Sequence, residues 1–226
     1  MLSDFLKLIF PNTCHGCETM LHGNANLLCP TCMARLPRTD SHLEYNYDIS
    51  KRLMGRLPCK YTLAYLYFKK QGVVQQLMHD FKYKEQIQIG EILGTWYGHE
   101  LKTYKLNTQF DVVLPIPLHP SKLKKRGFNQ STIFGKALAE EMNLIFDDQV
   151  LIRNTATTTQ TNKSRFLRWS NVAEVFDITD PTLLENKNIL LVDDIFTTGA
   201  TFEAAGQKVL QANAKTISVA SLAVAT

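Results

Sequence analysis

No apolar run in the sequence approaches the roughly 20 residues that a membrane-spanning helix needs, so no such helix is expected. The stretch Met1 to Pro11 contains Leu2, Phe5, Leu6, Leu8, Ile9 and Phe10 but has neither a basic start nor a small-residue cleavage site. It reads as a short packing helix rather than a secretory signal, which makes a cytoplasmic location the expectation. Excess charge of one sign is small. The 25 Lys and Arg against 21 Asp and Glu leave a net +4, which permits anionic partners without demanding them. Cysteine is sparse, with five in 226 residues and four of those between positions 14 and 32, so a disulfide framework does not hold the bulk of the chain. Internal repeats and low-complexity tracts are missing, which excludes a solenoid. What remains, at 45% hydrophobic and 20% charged residues, is ordinary globular composition, with room for one α/β domain plus something small.

The chain divides into three regions. Residues 1–37 carry the four clustered cysteines, 38–106 form a mixed connecting segment, and 107–226 alternate apolar strands with amphipathic helices. Strands are expected at Leu63–Phe68, Asp111–Ile116, Gln149–Ile152, Ala173–Ile178, Ile189–Val192 and Thr216–Ala223. Helices are expected at Gly72–Lys82, Ile87–Tyr104, Asn129–Met142 and Thr201–Ala212. This alternation predicts an α/β fold built on a central parallel sheet flanked by helices.

The most informative run is Ile189-Leu190-Leu191-Val192-Asp193-Asp194-Ile195-Phe196-Thr197-Thr198-Gly199-Ala200-Thr201. Four apolar residues make a strand buried on both faces, whose carboxyl end is where open parallel sheets bind ligands. Asp193 and Asp194 at that end can accept hydrogen bonds from vicinal hydroxyls or hold Mg2+. Gly199 allows a tight turn, and the amides of 197–201 with the start of the next helix suit an anion. An Asp-Asp pair alone fits a solvated acidic turn with a threonine helix cap; the ordered set is more specific. It resembles the signature for 5-phosphoribosyl 1-pyrophosphate (PRPP) in type I phosphoribosyltransferases. The resemblance implies ribose binding by Asp193 and Asp194 and 5-phosphate binding by Thr197, Thr198, Gly199, Ala200 and Thr201.

A second cluster follows the strand at 111–116. Lys122, Lys124, Lys125 and Arg126 fall within five positions, next to Gly127. A departing pyrophosphate needs concentrated positive charge, so Lys122, Lys125 and Arg126 are its candidate ligands; the alternative is a solvated cluster at a helix start. At the other end of the chain, Cys14-His15-Gly16-Cys17 and Cys29-Pro30-Thr31-Cys32 form two C-x2-C knuckles separated by 11 residues. Four thiolates in this arrangement suit a structural tetrahedral Zn2+ at Cys14, Cys17, Cys29 and Cys32, a redox or disulfide role being the alternative. His15 and His22 are substitute ligands only if a cysteine fails, and Cys59 reads as an ordinary buried thiol.

Pro115-Ile116-Pro117-Leu118-His119-Pro120 followed by Arg126-Gly127-Phe128-Asn129-Gln130 resembles the ComF family of competence proteins, ComFC- and GntX-like chains that join a zinc-finger-like segment to a phosphoribosyltransferase domain. The resemblance implies a mobile loop over 153–171, carrying Arg153, Thr157, Gln160, Arg165, Arg168 and Asn171, that closes on the substrate. Arg165, then Lys163, is its candidate pyrophosphate contact and Arg165 its candidate catalytic residue, beside Asp193 and Asp194. The segment 38–106 stands where such enzymes carry a hood over the acceptor, and His79-Asp80-Phe81-Lys82-Tyr83-Lys84 would line it. Two functions follow: a transferase using PRPP and Mg2+ on an acceptor that the sequence does not identify, or a competence factor that binds single-stranded DNA, and partner proteins of the competence machinery, without turnover.

Overall fold

The computed structural model describes residues 13–21, 27–154 and 175–226. Its strands, in chain order, are β1 (Cys59–Phe68), β2 (Val112–Pro115), β3 (Ile145–Phe146), β4 (Leu151–Arg153), β5 (Phe176–Ile178), β6 (Asn188–Phe196) and β7 (Thr216–Ala225). Its helices are α1 (Pro30–Ala34), α2 (Tyr47–Ser50), α3 (Val73–Tyr83), α4 (Ile87–Thr103), α5 (Pro120–Arg126), α6 (Gln130–Met142) and α7 (Ala200–Gln211).

Five strands form one sheet in the order β1-β7-β6-β2-β3, and every pairing in it is parallel. Parallel sheets must be covered on both faces, so their central strands are apolar on both sides. β6 meets this condition. Leu190 and Val192 enter one core with Val113, Leu63, Tyr65, Ala220 and Leu222, while Ile189 and Leu191 enter a second core with Leu114, Ala64, Ile217 and Val219. The first core is closed by α3, α4 and α6 through Val74, Leu77, Phe81, Leu93, Tyr97, Phe134 and Leu138. The second is closed by α7, through Phe202, Ala205 and Val209, together with Ile49, Leu53 and Leu57. The antiparallel pair β4–β5 packs on this second side, with Leu151 and Phe176 buried there. The result is a three-layer α/β/α fold, as the alternation of strands and helices predicts.

Three differences from the sequence reading bear on the site. β6 continues past Val192 to Phe196, because Asp193, Ile195 and Phe196 keep pairing with Ser221, Ala223 and Val224 of β7. The acid pair therefore lies inside the strand. The basic cluster is a helix, α5, opened by Pro120 at its first turn and closed by Gly127 in the left-handed region at φ 81°. β1 starts at Cys59 and adds to the sheet a strand from the 38–106 segment.

Candidate phosphoribose site and cysteine cluster

The site is assembled at the carboxyl ends of β2 and β6. Pro115 pairs with Val192, and the Ile116 amide donates to the Val192 carbonyl at 2.8 Å, so the chain leaving β2 runs beside Asp193. Asn129 caps α6 by accepting from the Ser131 amide and donates through Nδ2 to the Ile116 carbonyl at 2.9 Å. That places buried Ser131 over the acid pair, where its hydroxyl donates to Asp193 Oδ1 at 2.8 Å. The Asp194 amide donates to the same oxygen at 2.8 Å. Burial and then the neighbouring Asp194 charge push the Asp193 carboxyl up to about 7, against the pull of the Ser131 and Asp194 donors and the nearby Lys82 ammonium. Asp194 is held differently: Lys82 Nζ of α3 lies 2.6 Å from its Oδ2.

The turn after β6 carries Thr197 and Thr198, both exposed, and Gly199, buried with φ 84°; Ala200 and Thr201 begin α7. A side chain at position 199 would sit 2.8 Å from Leu53 Cδ2 and 3.1 Å from the Arg52 carbonyl, so glycine is required on two counts. Two arginines that the sequence analysis did not single out hold this turn. Arg52 donates to the carbonyls of Phe196 at 3.2 Å and Thr197 at 2.5 Å, and Arg56 donates to the Thr198 carbonyl at 2.9 Å and pairs with Glu203. With its carbonyls occupied, the turn presents to a ligand its N–H groups and the positive end of α7.

Of the basic cluster, Lys122 and Lys125 stand exposed on α5. Arg126 turns inward, donating to Gln130 Oε1 at 2.9 Å with its guanidinium 5.5 Å from the Tyr83 ring centre. Arg165 and Lys163 lie outside the described residues, as do Met1 to Pro11 and His22. Lys82, Arg52, Arg56 and Ser131 are the participants that the sequence reading passed over. The first lies in the noted His79–Lys84 run, and the last directly follows Arg126–Gln130. The two arginines act across about 140 residues and give no local signal.

Residues 129–225 match the family model of the phosphoribosyl transferase domain. The DNA utilization protein YhgH of Shigella flexneri is 27% identical over 195 residues, spanning 85% of this chain and 82% of its own. Competence protein ComFC of Streptococcus pneumoniae is 26% identical over 213 residues, 92% of this chain and 86% of the relative. Competence protein F of Haemophilus influenzae is 23% identical over 222 residues, 93% and 96% respectively. Over most of its length the chain is thus similar to competence proteins and DNA utilization proteins, and over residues 129–225 to the phosphoribosyl transferase domain.

The cysteine cluster is as compact as its spacing predicts. The four Sγ atoms of Cys14, Cys17, Cys29 and Cys32 lie within 4.8 Å of one another, and Cys17 to Cys29 is 3.7 Å. A tetrahedron with Zn–S bonds of about 2.3 Å has S–S edges of about 3.8 Å, so the donor set could hold zinc. Backbone amides of Gly16 and Cys29 donate to Cys14 Sγ at 3.3 and 3.2 Å, and that of Cys32 to Cys29 Sγ at 3.4 Å, which suits charged sulfur. A Cβ at Gly16 would come within 2.9 Å of Cys32 Sγ, so the knuckle closes only around glycine. His15 is outside the cluster of sulfurs and bonds Asp80 of α3 at 3.2 Å. Cys59 is half-buried, and burial pushes its thiol up to about 12, in keeping with a structural thiol. No helix among the described residues is long and apolar enough to cross a membrane.

Proposed function

We propose that this chain binds PRPP with Mg2+ at the carboxyl end of β6 and acts in the handling of incoming DNA. Asp193 and Asp194 accept from the ribose hydroxyls, and Thr197, Thr198, Gly199, Ala200 and Thr201 receive the 5-phosphate. Lys122, Lys125 and Arg126 supply positive charge to the pyrophosphate, with Arg165 from the closing loop. The observation carrying this reading is one continuous strand–turn–helix in which a shielded acid pair is followed by a turn whose carbonyls Arg52 and Arg56 already occupy. Such a site separates its two chemistries, acceptors for hydroxyls and donors for phosphate. The relatives' names, DNA utilization and competence protein, support the cellular role. Calorimetry with PRPP and Mg2+ tests the site. Wild type should bind, and Asp193→Asn combined with Asp194→Asn should not; equal binding by both proteins would sink the reading. Transfer frees pyrophosphate, so its release in the presence of a panel of bases reports turnover. Cys14, Cys17, Cys29 and Cys32 hold one structural Zn2+.

A specific observation also favours contact with single-stranded DNA. Exposed His79 and Tyr83 lie ring to ring at 5.3 Å, Arg126 lies 5.5 Å from Tyr83, and Lys84, Lys122, Lys124 and Lys125 flank this array in sequence. Stacking platforms bordered by cations are how proteins hold single strands. In a gel shift with oligothymidylate, Tyr83→Ala should weaken binding about tenfold with the salt slope unchanged. Replacing Lys122 and Lys125 with Ala should flatten the slope. Unaltered binding in both variants would rule the array out.

A further inference from the structure

Lys82 is the one cation seen to touch the acid pair among the described residues, and neither the ribose contacts nor the pyrophosphate contacts account for it. Its Nζ is 2.6 Å from Asp194 Oδ2, with the lysine side chain 16% and the aspartate 15% exposed. The partner acid is engaged by other groups: Asp193 Oδ1 already accepts from the Ser131 hydroxyl and the Asp194 amide. Adjacent carboxylates largely removed from water repel each other, and a cation in contact relieves this. A divalent metal ion relieves it equally well through carboxylate oxygens. An ammonium at 2.6 Å and a metal ion cannot both occupy that oxygen.

We propose that Lys82 is the built-in cation of this pocket, neutralising Asp194 while no ligand is bound and leaving it when a metal-bearing sugar phosphate enters. This rests on the phosphoribose reading only for the identity of the ligand. Lysine suits an exchangeable counter-ion. Its charge is compact and its stem flexible, whereas an arginine would lock onto the carboxylate through two parallel bonds. A free metal ion must evict the ammonium without providing it a new partner. A metal–sugar phosphate brings oxyanions to which the released ammonium can move. Lys82 is thus a positioning residue that makes the pocket respond to the complex rather than to the metal alone.

The test uses Mn2+ in place of Mg2+, with no sugar phosphate present, and free Mn2+ read by electron paramagnetic resonance of the full chain. Lys82→Met should bind Mn2+ at least about tenfold more tightly than wild type, because the acid pair then lacks its cation. Adding Asp194→Asn should abolish the gain. A merely structural ion pair would leave Mn2+ affinity unchanged when Lys82 is removed, and that result overturns the proposal; so does a gain that survives Asp194→Asn. Should Lys82→Met not fold, Lys82→Gln, which keeps a polar tip, is measured in the same way with the same criteria. Because PRPP is left out, failure of PRPP binding and failure of cation exchange are separate results.

Discussion

Gly199 and Gly127 share a left-handed backbone, with φ 84° and 81°, but differ in surroundings. A Cβ at 127 would meet nothing within 4 Å, while one at 199 would press on Leu53, the Arg52 carbonyl and Phe196. Gly127→Ala should therefore lose only the backbone preference, about 1 kcal/mol. Gly199→Ala should lose about 2 kcal/mol or more, because overpacking adds to it. Urea midpoints measure the difference, and equal midpoints would show that the turn does not rest on residues 52–53. At this scale the acid pair, the turn glycine and the four cysteines were legible, because each is a local pattern with a recognisable spacing. The unequal environments of Asp193 and Asp194 were not. They arise from Ser131 on one side and Lys82 on the other, brought in by different helices.

At the scale of elements, β6 and β7 stand out in the sequence because strands covered on both faces need nearly continuous runs of apolar and small residues. The two residues of β3, Ile145 and Phe146, are too few to show a period, and only the register with Val112 and Val113 makes them a strand. α5 was hidden for a different reason. Its seven residues bury no side chain, so no apolar periodicity marks it; Pro120 at its start and Gly127 at its end were the available signals. α4 was legible as a helix but not as a contact surface. Gly90, Gly94 and Gly98 lie one turn apart, and Cβ atoms at 94 and 98 would come within 2.5 Å of the Phe134 carbonyl and 2.9 Å of the Leu138 carbonyl. Gly94 and Gly98 thus bring α4 against the backbone of α6, and Gly90 makes room for the Phe81 ring of α3, partners that sequence spacing does not name.

The cysteine cluster is not an appendage on the rest of the molecule. Cys14 and Cys32 are buried in the same core as Val74, Leu77, Met78 and Phe81 of α3, and His15 reaches Asp80 of that helix at 3.2 Å. α3 in turn sends Lys82 to Asp194, so one helix touches both the cluster and the acid pair of β6. A zinc ion held only by the folded chain would stabilise the fold by mass action, and the shared core would transmit this to the sheet. The protein as purified should contain one zinc per chain. Removal by a strong chelator should lower the thermal midpoint of the whole molecule by roughly 5 °C or more, in a single transition. Cys17→Ser is the sharper version, because Cys17 is exposed and its loss costs little packing; any drop in midpoint then reports the metal. If zinc is lost while calorimetry shows the main transition unmoved, the cluster and the sheet unfold independently, and the contact between His15 and Asp80 carries no coupling.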